Sequence, residues 1–409
     1  MPPASVPRRL KGERTAVSVL FVLAGTVMGG WAGRIPSVRA QLGVSDGEWG
    51  QIVLGMPLGV LVSLLVLQRV ITRAGARRPA VIGAFGMLAI TPVAASAGST
   101  AIIVGCLFAL GLAQGLLFGP MNALAVEVER DYGRSILSSF HAWFSAGQFF
   151  GGLCGVLAGL FELAPSLQLA ACALMLAGLH LATLRRLPDT QQPDDAAQVD
   201  GATGALPSAA PTPRRSWTPQ LAVLAAVGFL TSINEGASVQ WSAQYAVTLG
   251  GGIAVGSLML VCYSLSIAGI RLFGDRLVQR LGRRLFLQLS ATLTAVGLGL
   301  GLLVGTVPAA LVGFACVGIG SGCIVPTVMT LAGNQPTVPS ARAVALISLG
   351  QWPAFLLGPP LIGGIGELVG LRAALWVIVV AALVIVALAA FVRDQVPAPQ
   401  SSTTTASAR

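Results

Sequence analysis

The chain has 409 residues, of which 55% are Ala, Val, Ile, Leu, Met, Phe, Trp, Tyr or Cys and only 10% are charged, with a formal net charge of +10. About a quarter of a water-soluble domain is charged, so a packed aqueous globule is excluded, and apolar runs of about 20 residues, enough for a helix to cross about 30 Å of hydrocarbon, recur from end to end. Transmembrane barrels alternate in segments of about 10 residues; these runs are continuous, and the expected fold is an all-α polytopic membrane protein.

In chain order, a short tail over 1–14 precedes spans at 15–36, 47–70, 79–97, 101–127, 134–160 and 166–186, a six-helix bundle over 15–186. The first span is long for a signal peptide and runs into the charged "GRIPSVRAQ" without a small-residue cleavage site, so it is read as retained. The stretch "RRLPDTQQPDDAAQVDGATGALPSAAPTPRRSW" is rich in Pro, Ala, Asp, Gln and Ser, and predicts a disordered linker over 187–217. Six more spans follow, at 218–243, 252–276, 284–305, 308–333, 342–365 and 371–392, giving a second bundle over 218–393 and a tail over 394–409. With the N-terminus placed in the cytoplasm, 21 of the 25 basic residues fall in cytoplasmic segments, three outside (Arg34, Arg39, Arg372) and one, Arg271, in a span. The positive-inside rule therefore puts both termini in the cytoplasm. The same distribution accounts for the basic charge through topology and contact with anionic lipid, and argues against a nucleic-acid partner.

The two halves repeat weakly. Gly75 of "RAGARR" and Gly282 of "RLGRR" lie 207 residues apart, and the same offset relates Gly111 and Gly115 to Gly318 and Gly322. An offset of 203 relates Ser145, Gly147, Gln148 and Gly155 to Ser348, Gly350, Gln351 and Gly358. Two like-oriented bundles follow from a parallel repeat of this kind. After the second span, "QRVITRAGARR" resembles the loop signature of the major facilitator superfamily at Arg73, Gly75, Arg77 and Arg78, with Gln68 and Thr72 where Gly and Asp belong. After the eighth, "GDRLVQRLGRR" is a closer copy, with Gly274, Asp275, Arg276, Arg280, Gly282, Arg283 and Arg284. "WAGRIPSVRAQLGVSDGEWG", "MNALAVEVERDYGRSILSSFHAWFSAG" and "NEGASVQWSAQY" resemble the fucose-permease-like branch of bacterial inner-membrane transporters. The resemblance implies twelve helices in two parallel-repeat bundles rocking around a central site, with no enzymatic activity, cofactor or metal. It also implies proton symport through acids in the first and fourth spans, but the first span here has none, and "GLLFGPMNA" offers Phe118 and Asn122.

A replacement stands in the seventh span. Glu235 of "GFLTSINEGASVQWSAQY" is a carboxylate inside an apolar helix, costly unless it faces a partner or a wet cavity. It has two readings, proton carrier or a structural acid bonded to a neighbouring helix. Asn234 and Gly236 beside it weaken helicity and predict a broken helix next to a substrate path. Arg34, ending the first span, is the expected partner of Glu235. Trp241 and Trp31 are read as interfacial belt residues or as stacking platforms, and His141 as a proton relay or a packing hydrogen bond. Asn122, Gln148 and Gln351 complete the expected polar path. Glu127 and Glu129 are expected to pair with Arg73, Arg77 and Arg78 as an inner latch, and Arg271 with Asp275 four residues on.

Absences narrow the function. The single lysine, Lys11, lies outside any Gly-rich loop, so no Walker A site is present. Cys106, Cys154, Cys172, Cys262, Cys316 and Cys323 fall in spans without C-x-x-C spacing, neither a disulfide framework nor a metal cluster. The expected function is a monomeric secondary transporter of a small polar, sugar-like solute in the bacterial inner membrane, working by alternating access with proton symport. The alternatives are an exporter of the same fold or a transport-inactive sensor.

Overall fold

The computed structural model describes residues 7–133, 136–189, 217–335 and 338–393, with the side chains of 66–74, 275 and 341 outside the description. The first half runs α1 (Arg8–Leu42), α2 (Asp46–Ile52), α3 (Gly55–Ala74), α4 (Arg77–Ala95), α5 (Thr100–Tyr132), α6 (Leu137–Leu160), α7 (Pro165–Thr183) and a 3-10 turn at Leu184–Arg186. The second runs α8 (Pro219–Thr248), α9 (Ile253–Leu281), α10 (Arg283–Val304), α11 (Val307–Ser321), α12 (Ile324–Gly333), α13 (Ser340–Val369), α14 (Leu371–Ala374) and α15 (Trp376–Ala389). Together they supply twelve helices or helix pairs long and apolar enough to cross a membrane. Most of the expected linker and the tail over 394–409 lie outside the described residues. The expected tail over 1–14 is shorter than read, because α1 already begins at Arg8.

Local chemistry sets the ends. Ser45 and Glu48 form a capping box at the start of α2, and Thr218 accepts from the Leu221 amide ahead of Pro219 at the start of α8. Gly43, Gly133 and Gly305 close α1, α5 and α10 in the left-handed conformation. Gly75 and Gly282, the glycines of the two repeated loops, both take positive φ, of 66° and 77°. A side chain at either position would be strained.

Packing repeats from half to half. α1 crosses α6 as α8 crosses α13, α3 crosses α5 as α9 crosses α11, and α4 meets α7 as α10 meets α15. Glycines make these crossings close. Gly25 and Gly29 lie against the backbone of Phe144 and Gln148, while Gly147 and Gly151 lie against that of Val22 and Thr26. The related Gly228 faces Gln351 across α8 and α13, so Gln148 and Gln351 take matching places. Gly111 sits against the Met56 backbone and Gly318 against that of Tyr263, the same role 207 residues apart. The eleventh span is one continuous helix through Pro353, Pro359 and Pro360.

The halves meet at the end remote from Arg8 and Arg393. The Ser257 hydroxyl donates to the Gly33 carbonyl at 2.8 Å, and Gly155 and Gly159 of α6 face Ser257 and Ala254 of α9. Gly50 and Gly363 bring α2 onto α13, where a Cβ at Gly50 would stand 2.7 Å from the Pro359 carbonyl. The Gly47 amide donates to Glu367 at 3.1 Å. Arg39 pairs with Asp46 at 2.5 Å and lies 5.4 Å from the ring centroid of Trp241, joining α1, α2 and α8. Trp241 is fully enclosed there and is no interfacial belt residue. Towards the termini, α5 and α6 make no extensive contact with α12 or α13 among the described residues, so a cleft opens between the halves at that end.

Two outcomes follow. Gly25→Ala would drive a methyl into the Phe144 carbonyl, whereas at Gly228 the nearest atom is the flexible Gln351 amide at 3.2 Å. Gly25→Ala should destabilise by about 1–3 kcal/mol or more, with Gly228→Ala near wild type, measured by thermal melting in detergent; equal effects would contradict the packing described. Spin labels at Gln41 and Leu368, one per half at the closed end, should give a short, narrow distance distribution that gains a longer component in Asp46→Ala. An unchanged distribution would mean that the Arg39–Asp46 pair does not hold this end shut.

Candidate functional site

Glu235 lies near the middle of α8, which continues unbroken through Asn234 and Gly236, contrary to the break expected there. The Ser238 hydroxyl folds back on the Asn234 carbonyl at 2.8 Å, and Gly236 packs beside Phe355, so the weak helix formers are held by their surroundings. The interruption falls instead in the tenth span, between α11 and α12 at Gly322–Cys323.

Arg271 occupies that interruption. Its Nε donates to the Gly322 carbonyl at 3.0 Å, an acceptor freed by the helix break. The side chain of Asp275, its expected local partner, lies outside the described residues. Arg271 shares α9 with Tyr263, which is enclosed. The crossing between the halves sets the level of Arg271. Gly152 of α6 meets Val261 of α9, and because the two helices are antiparallel, His141 and Arg271 both lie about 15 Å from that crossing towards the open end at 1.5 Å per residue. His141 is exposed on the first half, its ring edge-on to Phe21 with centroids 5.4 Å apart. A carboxylate, a guanidinium, a phenol and an imidazole thus come from α8, α9 and α6, with Tyr263 two residues from the crossing and Arg271 and His141 nearer the open end.

Several enclosed polar atoms around the cleft have no hydrogen-bond partner among the described residues: Asn234 Oδ1, Glu235 Oε1 and Gln351 Nε2. Buried polar atoms are ordinarily paired, and unpaired ones clustered beside a cleft are the groups that a polar solute can satisfy. Asn122 contributes less, since its Nδ2 donates to the Phe118 carbonyl of its own helix at 2.8 Å.

Arg34 does not partner Glu235. It is buried where the halves close, its guanidinium donates to the Leu163 carbonyl, and no ion pair joins it to Glu235. Gly155 lies nearby, but its close neighbour is the Ser257 hydroxyl rather than the Arg34 stem. The expected inner latch is also rebuilt. Glu129 accepts from the amides of Ile136 and Leu137 at 2.6 and 2.5 Å, capping α6, and Arg77 pairs with Asp189 at 2.7 Å. The side chain of Arg73 lies outside the described residues, and so does its expected pairing with Glu127. Arg280 and Arg283 flank the Gly282 turn. Sequence reasoning passed over Tyr263, which has no distinguishing neighbours in the chain, and Arg39, Asp46 and Glu367. The first two of those stand beside a legible S-x-x-E cap.

Comparison with known proteins places this architecture. The family model of the Major Facilitator Superfamily matches residues 17–334 and again 224–408. The chain is 28% identical over 384 residues to the transporter y4wD of Sinorhizobium fredii, covering 93% of this chain and 98% of that protein. It is 29% identical over 366 residues to an MFS-type transporter of Yersinia pestis, covering 88% and 91%. Among solved structures, the nucleoside transporter NupG superposes with a TM-score of 0.67 at 16% identity, covering 91% of this chain and 96% of that one. A D-xylose–proton symporter does so with a TM-score of 0.70 at 16% identity, covering 94% and 98%. The twelve-helix architecture, its internal repeat and these matches make the chain a member of the Major Facilitator Superfamily, a multi-pass membrane transporter.

Proposed function

We propose that the protein imports a small polar solute across the bacterial inner membrane by alternating access, coupled to protons, with both termini in the cytoplasm. The strings that resemble the fucose-permease-like branch support a sugar-like solute. The same fold serves nucleoside transport in one solved neighbour and D-xylose–proton symport in another, which is consistent with a polar cargo. In this orientation the closed end faces outward and the cleft opens to the cytoplasm.

The observation that carries the coupling is a carboxylate, Glu235, near the middle of α8 beside a set of unpaired polar atoms, with Arg271 on the neighbouring α9. In this state Arg271 bonds to the Gly322 carbonyl; an ion pair between it and Glu235 would form in another state of the cycle and dissolve when the acid is protonated. Glu235 is then the proton carrier and Arg271 the group that senses its state, while His141 faces them from the other half. Arg34 takes the separate part of a latch at the outward end. Solute and proton enter when the outward end parts, and the solute bonds to Asn234 and Gln351. Closure at that end, through Arg39 and Asp46, exposes the loaded site to the cytoplasm.

Glu235→Gln keeps the size and hydrogen bonding of the side chain but cannot titrate. In proteoliposomes with a solute identified by a thermal-stabilisation screen, this variant should lose accumulation driven by a pH gradient by about tenfold or more, a barrier difference of about 1.4 kcal/mol. Binding and solute exchange should be retained. Accumulation at the wild-type rate would make Glu235 a structural acid and shift the proton to His141.

A further inference from the structure

A basic recess lies on the first half, at the end where the termini emerge and away from the cleft. It is a cavity of about 720 Å³ walled by the start of α1, the start of α4 and the 3-10 turn after α7. Arg8, Arg9, Lys11, Arg77, Arg185 and Arg186 line it, with Glu13 and Asp189. Glu13 holds Arg9 at 2.7 Å, and Asp189 holds Arg77 at the same distance. Among the described residues the other four cations have no ion pair. Gly12 allows Arg186 to lie across α1, since a Cβ there would stand 3.3 Å from the Arg186 stem.

The placement runs against helix electrostatics. α1 opens with Arg8, Arg9 and Lys11, α4 with Arg77 and Arg78, neither has an acid in its first turn, and neither N-cap supplies a side-chain hydrogen bond. Helix N-termini carry partial positive charge, so these cations repel the helices they begin as well as one another. Topology explains why bases lie on this face, but it does not require them to converge on one concavity. The arrangement becomes favourable when an anion with several acceptor oxygens sits among the guanidiniums and the two helix ends.

We propose that this recess binds a phosphate group, presented by an anionic phospholipid headgroup or by a free phosphate compound, and that it anchors the first bundle. Its walls all belong to one half, so it keeps its shape while the halves rock. A phosphatidylglycerol-type headgroup would reach it from the membrane surface. The test uses the purified full chain in phosphatidylcholine nanodiscs with and without phosphatidylglycerol, and in neutral detergent with inorganic phosphate or pyrophosphate. The comparison is between wild type, Arg185→Gln with Arg186→Gln, and a control removing equal charge from the other half, Arg283→Gln with Arg284→Gln. The rise in melting temperature on adding the anion should fall by at least about half in the first variant and persist in the control. Loss in the lipid arm names the headgroup as the source, and loss in the soluble arm names free phosphate. No stabilisation in either arm, or equal loss in both variants, overturns the proposal. Should the first variant fail to fold, wild type treated with phosphatidylglycerol bearing a photoreactive headgroup decides it. Adducts concentrated on 8–13 and 184–189 support the site, and adducts spread over other basic segments overturn it.

Discussion

Helices in hydrocarbon gain nothing from burying apolar surface against one another, so close approach of backbone to backbone has to supply the attraction. In this protein glycine makes that approach possible. Gly25 and Gly29 on α1 mesh with Gly147 and Gly151 on α6, and Gly111 lets α5 onto α3. The same device closes the far end, where Gly50 and Gly363 seat α2 on α13 and Gly33 lies beneath Ser257. Within a half, glycine crossings build a body; between halves, they build a seam that a few polar contacts complete. Both kinds of contact use dispersion over short distances, which a single methyl can disrupt.

That economy frees the interior for chemistry. With helix contacts made by residues lacking side chains, the polar groups of the centre need not hold the fold together. Arg271 bonds to one carbonyl exposed by the break between α11 and α12. The break does for Arg271 what a capping residue does elsewhere, offering an acceptor where lipid offers none.

Much of the architecture was legible because the membrane imposes a coarse rule, one apolar run per span, and because the repeat offset marks equivalent glycines. Gly75 and Gly282 were found as a pair by spacing alone, and both adopt the same uncommon φ. Helix ends were less legible: α8 reaches Thr248, five residues beyond the expected end, because Ser242, Tyr245 and Ala246 are buried at the seam and carry no hydropathy signal of a span end. Glu235 was legible as an acid inside a span, and its surroundings were not. Arg34 and Arg271 each stand in or beside a span, and the sequence does not say which helix face either takes. Only the antiparallel crossing at Gly152 and Val261 brings Arg271 to the level of His141 and leaves Arg34 at the closed end. Glu129 misled for a related reason: a carboxylate near arginines suggests an ion pair, but an uncapped helix start a few residues on offers two amides at closer range.

The cap on α6 also accounts for a discrepancy within the repeat. Equivalent residues are 207 apart from the loop at Gly75 and Gly282 to the fourth and tenth spans and 203 apart in the fifth and eleventh, so the first half carries four more residues at that junction, about one helical turn. That turn extends α5 beyond the reach of α12 and delivers Glu129 to the start of α6, whereas α13 begins at Pro339 with no side-chain cap. The two halves thus differ at that junction by about one turn, and on the first half Glu129 fastens the start of α6 at the lip of the cleft.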